Sequence, residues 1–177
     1  MTSQTPKGLA RISDNVYRAD GVVASLGDDA IQFIAGIATD HVLGRARINF
    51  HSSDDDLVHE MVIAMTPQSS GPPHFHAGKS ESFHLLRGGL AVGFYDDLGS
   101  LRETITLSEN GCRYYRLNGP LAHMPIALDG VAIFHETTNG PFVKGVSSQI
   151  PEWALELTPA EIQRLEHDLR SPANRPI

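Results

Sequence analysis

The chain has 177 residues, with 14 Lys and Arg against 21 Asp and Glu, a formal net charge of −7. That length suits one domain burying roughly 70% of its unfolded surface, and 41% hydrophobic with 7% aromatic residues exclude a disordered chain. The acidic balance, with no basic run and no aromatic-studded basic stripe, argues against nucleic acid and anionic membranes as partners, since phosphates would repel the chain.

Residues 1 to about 14 are polar without periodicity and read as a loose arm within an N-terminal segment 1–27. Between Asp28 and Asp40, the residues Ala30, Ile31, Ile34, Ile37 and Ala38 fall at helical spacing, weakened only by Gly36. From Arg45 the period becomes two: Ala46, Ile48 and Phe50 alternate with Arg45, Arg47, Asn49 and His51, predicting a strand with one apolar and one polar face. Ser52–Asp56 interrupts it as a solvated loop. Further strands are predicted at about 57–66, 73–76, 80–87, 90–96, 102–107, 112–117, 122–128 and 131–136. Turn signals such as Gly71-Pro72-Pro73, Asn110-Gly111 and Asn118-Gly119-Pro120 separate them. Many short strands at this spacing predict a β-sandwich or barrel. After 143 the pattern returns to helix: Thr158-Pro159-Ala160-Glu161 is a capping box with proline at the first helical position, opening a helix over 158–169.

No window approaches 18 continuous apolar residues. Met1–Pro6 lacks the charged and apolar regions of a signal peptide, so the expected setting is cytoplasmic. The single cysteine, Cys112, can form neither an internal disulfide nor a thiolate zinc cluster. Nine histidines are the compositional oddity, and they direct attention to imidazole chemistry.

His74 and His76 are two apart, so on extended chain both imidazoles point to one side. A turn at Ala77-Gly78-Lys79 can fold the Glu81 carboxylate back over them, and His123 follows on a later strand. Three imidazoles and a carboxylate suit one divalent ion, Fe, Mn, Ni, Co or Zn, with room for water or substrate.

His74-Phe75-His76, Glu81 and Gly88 fit H-x-H-x4-E-x6-G, and with them the sequence resembles the cupin superfamily. The glycine that opens this motif is replaced by Gln68. The second cupin motif survives mainly as His123, with Asn118-Gly119-Pro120 where P-x-G is expected and Ala127 in place of the final asparagine. The succession Arg45–His51, His74–His76, Lys79–His84, Tyr115–Leu117, Phe134–Glu136 and Gly140–Phe142 resembles the WbuC family of small cupin metalloproteins, found among polysaccharide gene clusters. The resemblance covers roughly 28–142. It implies a mainly β fold: a single cupin (double-stranded β-helix, jelly-roll) barrel, antiparallel, between N- and C-terminal helices. It also implies one metal held by His74, His76, Glu81 and His123. A homodimer formed through sheet edges is expected.

As a function, these readings predict a metal-dependent enzyme acting on a small anionic or carbohydrate-related molecule, with Glu81 as ligand or detachable base. An Fe(II) dioxygenase on a non-sugar substrate and a non-catalytic ligand-binding or sensing cupin are the alternatives. Substrate contacts are expected from Arg47 or Arg116, whose planar guanidinium suits a carboxylate or phosphate, from Tyr115 as a hydrogen-bond donor, and from His135, which alternates with Ile133 and Val131. His84, by strand parity, belongs on the opposite face from Glu81. His41, His51, His59 and His167 read as structural or exposed. His59-Glu60 and His135-Glu136 lack the second histidine of H-E-x-x-H, and there is no G-x-S-x-G, P-loop or dinucleotide fingerprint.

Overall fold

The computed structural model describes residues 4–171. Among them the larger sheet contains β1 (Leu9–Arg11), β2 (Val16–Ala19), β3 (Arg45–Asn49), β4 (Val58–Met65), β5 (Glu81–Arg87), β8 (Tyr114–Leu117) and β10 (Ala132–Asn139). The smaller contains β6 (Gly89–Tyr95), β7 (Leu101–Ser108) and β9 (Ala122–Ala127). Helix α1 (Asp28–Asp40) precedes β3, and α2 (Pro159–Arg170) closes the fold. The strand orders are β1-β2-β3-β4-β10-β5-β8 and β7-β6-β9. No described helix is long and apolar enough to cross a membrane.

The two sheets face each other across a core of Phe83, Leu85, Leu90, Val92, Phe94 and Phe134 with their neighbours. The other face of the larger sheet is covered as well. Ala30, Phe33, Ile34 and Ala38 of α1 pack on Ala46 and Ile48 of β3, Val62 and Ala64 of β4, and Ile133 of β10. The alternation predicted for 45–51 is therefore real, and its apolar half faces the helix. Its other half, Arg45 and Arg47, is exposed and borders the cavity.

Three expectations need correction. The arm is not loose where it is described: Leu9–Arg11 pairs with Val16–Ala19, and Val16–Arg18 pairs in turn with Arg47–Asn49. These strands of three and four residues are too short to show a period. That second pairing is parallel, so the barrel is not wholly antiparallel. The predicted strand 73–76 is reduced to two isolated bridges, His74 to His123 and Phe75 to Gln149. Pro72 and Pro73 carry no N–H and cannot extend a ladder on that side.

The capping box opening α2 is formed: Thr158 Oγ1 accepts from the Glu161 amide, and Glu161 Oε2 accepts from the Thr158 amide at 2.8 Å. Leu169 at the other end is fully buried, seated where Gly93 of β6 has no side chain; a Cβ there would lie 2.5 Å from Leu169 Cδ2. Removing the cap with Thr158→Ala is expected to lower the melting temperature by about 2–4 °C, with Thr158→Ser restoring it. Differential scanning calorimetry of the three proteins checks this.

Candidate metal centre

Strand parity and the bridge to β9 assemble the site. On β10, Phe134, Glu136 and Thr138 face inward; Thr138 stands opposite Glu81 of β5 on one side and His59 of β4 on the other. Glu81 thus enters the barrel from the larger sheet. His123 comes from β9 of the smaller sheet, and the His74 and His123 backbones exchange two hydrogen bonds, of 3.0 and 2.8 Å. That exchange hangs the His74–His76 segment across the gap between the sheets.

One ligand nitrogen from each of His74, His76 and His123 lies within 4.8 Å of the others. Glu81, 2% exposed, reaches two of them: Oε2 is 3.3 Å from His76 Nε2 and Oε1 is 2.9 Å from His123 Nε2. The remaining ring nitrogens are committed elsewhere. His76 Nδ1 donates to the Ser147 carbonyl at 2.6 Å, and His123 Nδ1 donates to the Leu121 carbonyl at 3.0 Å. A carbonyl can only accept, so both Nδ1 atoms carry a proton, and both Nε2 atoms face Glu81. The contact at His123 is close yet lacks hydrogen-bond geometry, leaving a buried Nε2 without a partner. Imidazole nitrogens gathered beside a carboxylate oxygen, once free of their Nε2 protons, are a donor set that a shared cation satisfies. The residues fit a divalent metal.

The electrostatics agree. Burial, together with the neighbouring His123 and His76, lowers the His74 pKa to about 3, which keeps this imidazole neutral. Burial works against the charged form of His76, but Glu81 outweighs it and raises that pKa. Burial would raise Glu81, yet His123 and His76 hold it well below the usual carboxylate range. Tyr115 is buried beside it, its phenol pKa pushed up by that burial, and the hydroxyl donates to Glu81 Oε1 at 3.5 Å.

A cavity of about 560 Å³ opens over this cluster, lined by His74, His76, Glu81 and Arg47 among others. The predicted contacts divide around it. Arg47 lines the wall, and Tyr115 reaches the site through Glu81. Arg116 does not enter: strand parity that turns Tyr115 inward turns Arg116 outward, where it donates to Ser80 Oγ and Asn118 Oδ1. His135 does not enter either. It faces the opposite side of the sheet beside His84 and Glu60, its Nε2 3.7 Å from Glu60 Oε1. Its alternation with Ile133 and Val131 is correct, but those two pack against α1. His84 lies on that outer face as predicted. The inward residue is the next one, Glu136, whose carboxyl pKa burial and the Glu81 charge push up to about 7. His59, expected to be structural or exposed, is buried and lines the cavity.

A family described as a domain of unknown function, DUF6016, matches residues 27–107, from the start of α1 to the end of β7. No curated protein sequence matches the chain. Two crystal structures of the capsular polysaccharide assembling protein CapF from Staphylococcus aureus superpose on it. Their TM-scores are 0.54 and 0.51 at 15% and 17% identity, over 71% and 60% of this chain and 38% and 31% of theirs. The chain therefore spans about a third of the length of the CapF chains it matches. A recombinant oxalate oxidase in complex with glycolate aligns over 76% of this chain and 70% of its own, with 18% identity and a TM-score of 0.49. The fold is the cupin jelly roll: mainly β, with two α-helices among the described residues, α1 between β2 and β3 and α2 after the last strand.

Proposed function

We propose that His74, His76, His123 and Glu81 hold one divalent metal ion and that the protein is a metal-dependent cupin acting on a small anionic, carbohydrate-related molecule. The observation that carries the metal is the set of Nε2 atoms turned toward one carboxylate, with the Nδ1 protons committed to backbone carbonyls. The anionic character of the ligand is supported by Arg47 on the cavity wall. The carbohydrate direction follows the WbuC-like succession of residues and the shared fold of CapF. A bound divalent ion would polarise an oxygen of the ligand. Glu81 stays among its ligands in this reading, Tyr115 supports it from behind, and the cavity walls hold the molecule in place. Pairing of sheet edges into a homodimer belongs to the same proposal.

Elemental analysis of the purified protein beside a His76→Ala/Glu81→Ala double variant tests the site. Near one metal per chain, absent from the variant, is the expected result. Metal in neither protein, even after reconstitution with Fe, Mn, Ni, Co and Zn, would sink the proposal. The pH dependence has a definite sign. Protons compete with metal for His76 Nε2, whose pKa is raised above its ordinary 6.5, whereas His74 at about 3 stays neutral. Affinity is therefore full above the raised pKa and falls by about tenfold per pH unit below it. A series of metal titrations by calorimetry from pH 8.5 downward reads that slope; a flat profile would exclude His76 as a ligand.

A further inference from the structure

The cavity has a second polar region away from the histidines. Arg45 and Arg47 both line it, two residues apart on the same face of β3, and neither guanidinium makes a hydrogen bond or ion pair among the described residues. Both side chains are exposed where they line the cavity, and the Arg47 charge acts on Glu136 across it. Glu136 is the other component. It lines the same cavity from β10, and its carboxyl makes no hydrogen bond or ion pair among the described residues.

The sheet register fixes the spacing. Thr138 stands directly opposite Glu81, so Glu136, two residues along, lies diagonal to Glu81 at about 7–8 Å between Cα atoms. Arg47 pairs with Ile63, and Ile63 pairs with Phe134, which puts Glu136 two strands and two residues away, about 12 Å between Cα atoms. Met61, Ile63 and Phe134 form an apolar floor between them. A ligand spanning this floor meets cations at one end, a hydrogen-bond acceptor at the other, and the metal-site residues beside the acceptor. Carbon–hydrogen faces on an apolar floor with hydroxyls and one charge at the margins describe a short polyhydroxylated acid.

We propose that the ligand is a polyhydroxylated acid of about sugar size, its anionic group held by Arg45 and Arg47 and one hydroxyl donating to Glu136, which makes Glu136 a ligand-binding residue of the cavity. This rests on the metal-site reading, since His74, His76 and Glu81 line the same cavity. Carboxylate and phosphate share this chemistry, and the probes separate them.

Calorimetric titration of the metal-loaded full chain with gluconate, glucose 6-phosphate, hexanoate and neutral glucitol tests it, with metal content measured in every sample. At least one hydroxylated acid should bind about tenfold or more tighter than both hexanoate and glucitol. Gluconate as the tighter of the two assigns a carboxylate, glucose 6-phosphate a phosphate. Arg47→Met should abolish the preference over glucitol. Glu136→Leu should weaken the hydroxylated acid about tenfold without changing hexanoate, and Glu136→Gln, which keeps a carbonyl acceptor, should restore most of the loss. One metal per chain with no preference among the four probes, or with none of them bound, overturns this proposal and leaves the metal site standing. An equal loss of hexanoate and the hydroxylated acid in Glu136→Leu reduces Glu136 to a structural role and overturns it too. A wild-type protein without metal defeats the metal reading instead, and acid preference surviving there identifies the cavity as a metal-free acid site.

Discussion

His123→Ala is expected to abolish metal retention and the thermal stabilisation that goes with it. His123 is fully buried, and of the three histidines it is the one supplied by the smaller sheet, so the variant separates the two halves of the site. A metal present at 100 times its dissociation constant contributes about 2.7 kcal/mol to the folded state. In a chain of this length that corresponds to a melting temperature roughly 5–10 °C higher in the loaded protein. The increment should vanish in the variant. The metal-free variant should also be weaker than the metal-free wild type, on the order of 2–4 kcal/mol, because a buried ring is replaced by a void. Glu81→Gln separates the causes: it keeps the shape of the site, removes the charge, and should reduce the metal increment with little cavity cost. Paired calorimetric melts with and without added metal read all three proteins. An unchanged increment in His123→Ala would mean that the metal, if bound, sits elsewhere.

Gly140→Ala should be nearly as damaging, although it touches no ligand. A Cβ at position 140 would lie 1.8 Å from the Asp56 carbonyl oxygen and 2.7 Å from the His59 ring. Backbone cannot yield there as a flexible side chain could. The segment must shift, and that segment leads into the turn 143–147, where Val143 N donates to Ser147 Oγ and Ser147 N to the Val143 carbonyl, both at 2.8 Å. The turn presents the Ser147 carbonyl to His76 Nδ1. Lys79 holds the same segment from the other side, its Nζ donating to the Asn139 and Pro141 carbonyls at 2.7 Å each. Overpacking of this kind costs about 1–3 kcal/mol, and loss of a group orienting a metal-bound histidine costs about 10–100-fold in affinity. Urea unfolding and metal titration should therefore both respond. Gly119→Ala, which has open space for its Cβ, should change neither, and a Gly140→Ala protein with wild-type metal affinity would show that the Ser147 contact does not orient His76.

Sequence reading reached the elements whose pattern is local. Helix α1 lies where its period put it, and β4 to β7 begin and end within two residues of expectation. The three histidines and Glu81 were visible because two of the four sit at H-x-H spacing and the carboxylate follows across a glycine turn. His123 converges with them despite the altered turn before it, because its backbone bridge to His74 depends on extended chain and not on the identity of residues 118–120. Other features were hidden for a physical reason. Both faces of the larger sheet are buried, one by α1 and one inside the barrel, so an alternation of apolar residues identifies two faces without saying which is interior. That ambiguity exchanged His135 for Glu136. Arg116 was excluded by parity once Tyr115 pointed inward. The turn at 143–147 has no period at all, and only the folded chain brings its carbonyl to His76.

The parallel seam between β2 and β3 has a consequence for any trimmed version of this protein. A chain beginning at residue 28 would keep both helices and all four candidate ligands but would lose Asn15 and Val16 from the cavity wall. Its larger sheet would then end at β3, whose outer amides and carbonyls would lose the partners now supplied by Asn15 and Val16–Arg18. Such a bare margin invites a strand from another molecule. The first hairpin therefore acts as a guard against templated self-association, and its removal should be read first in light scattering, before any change in the metal site.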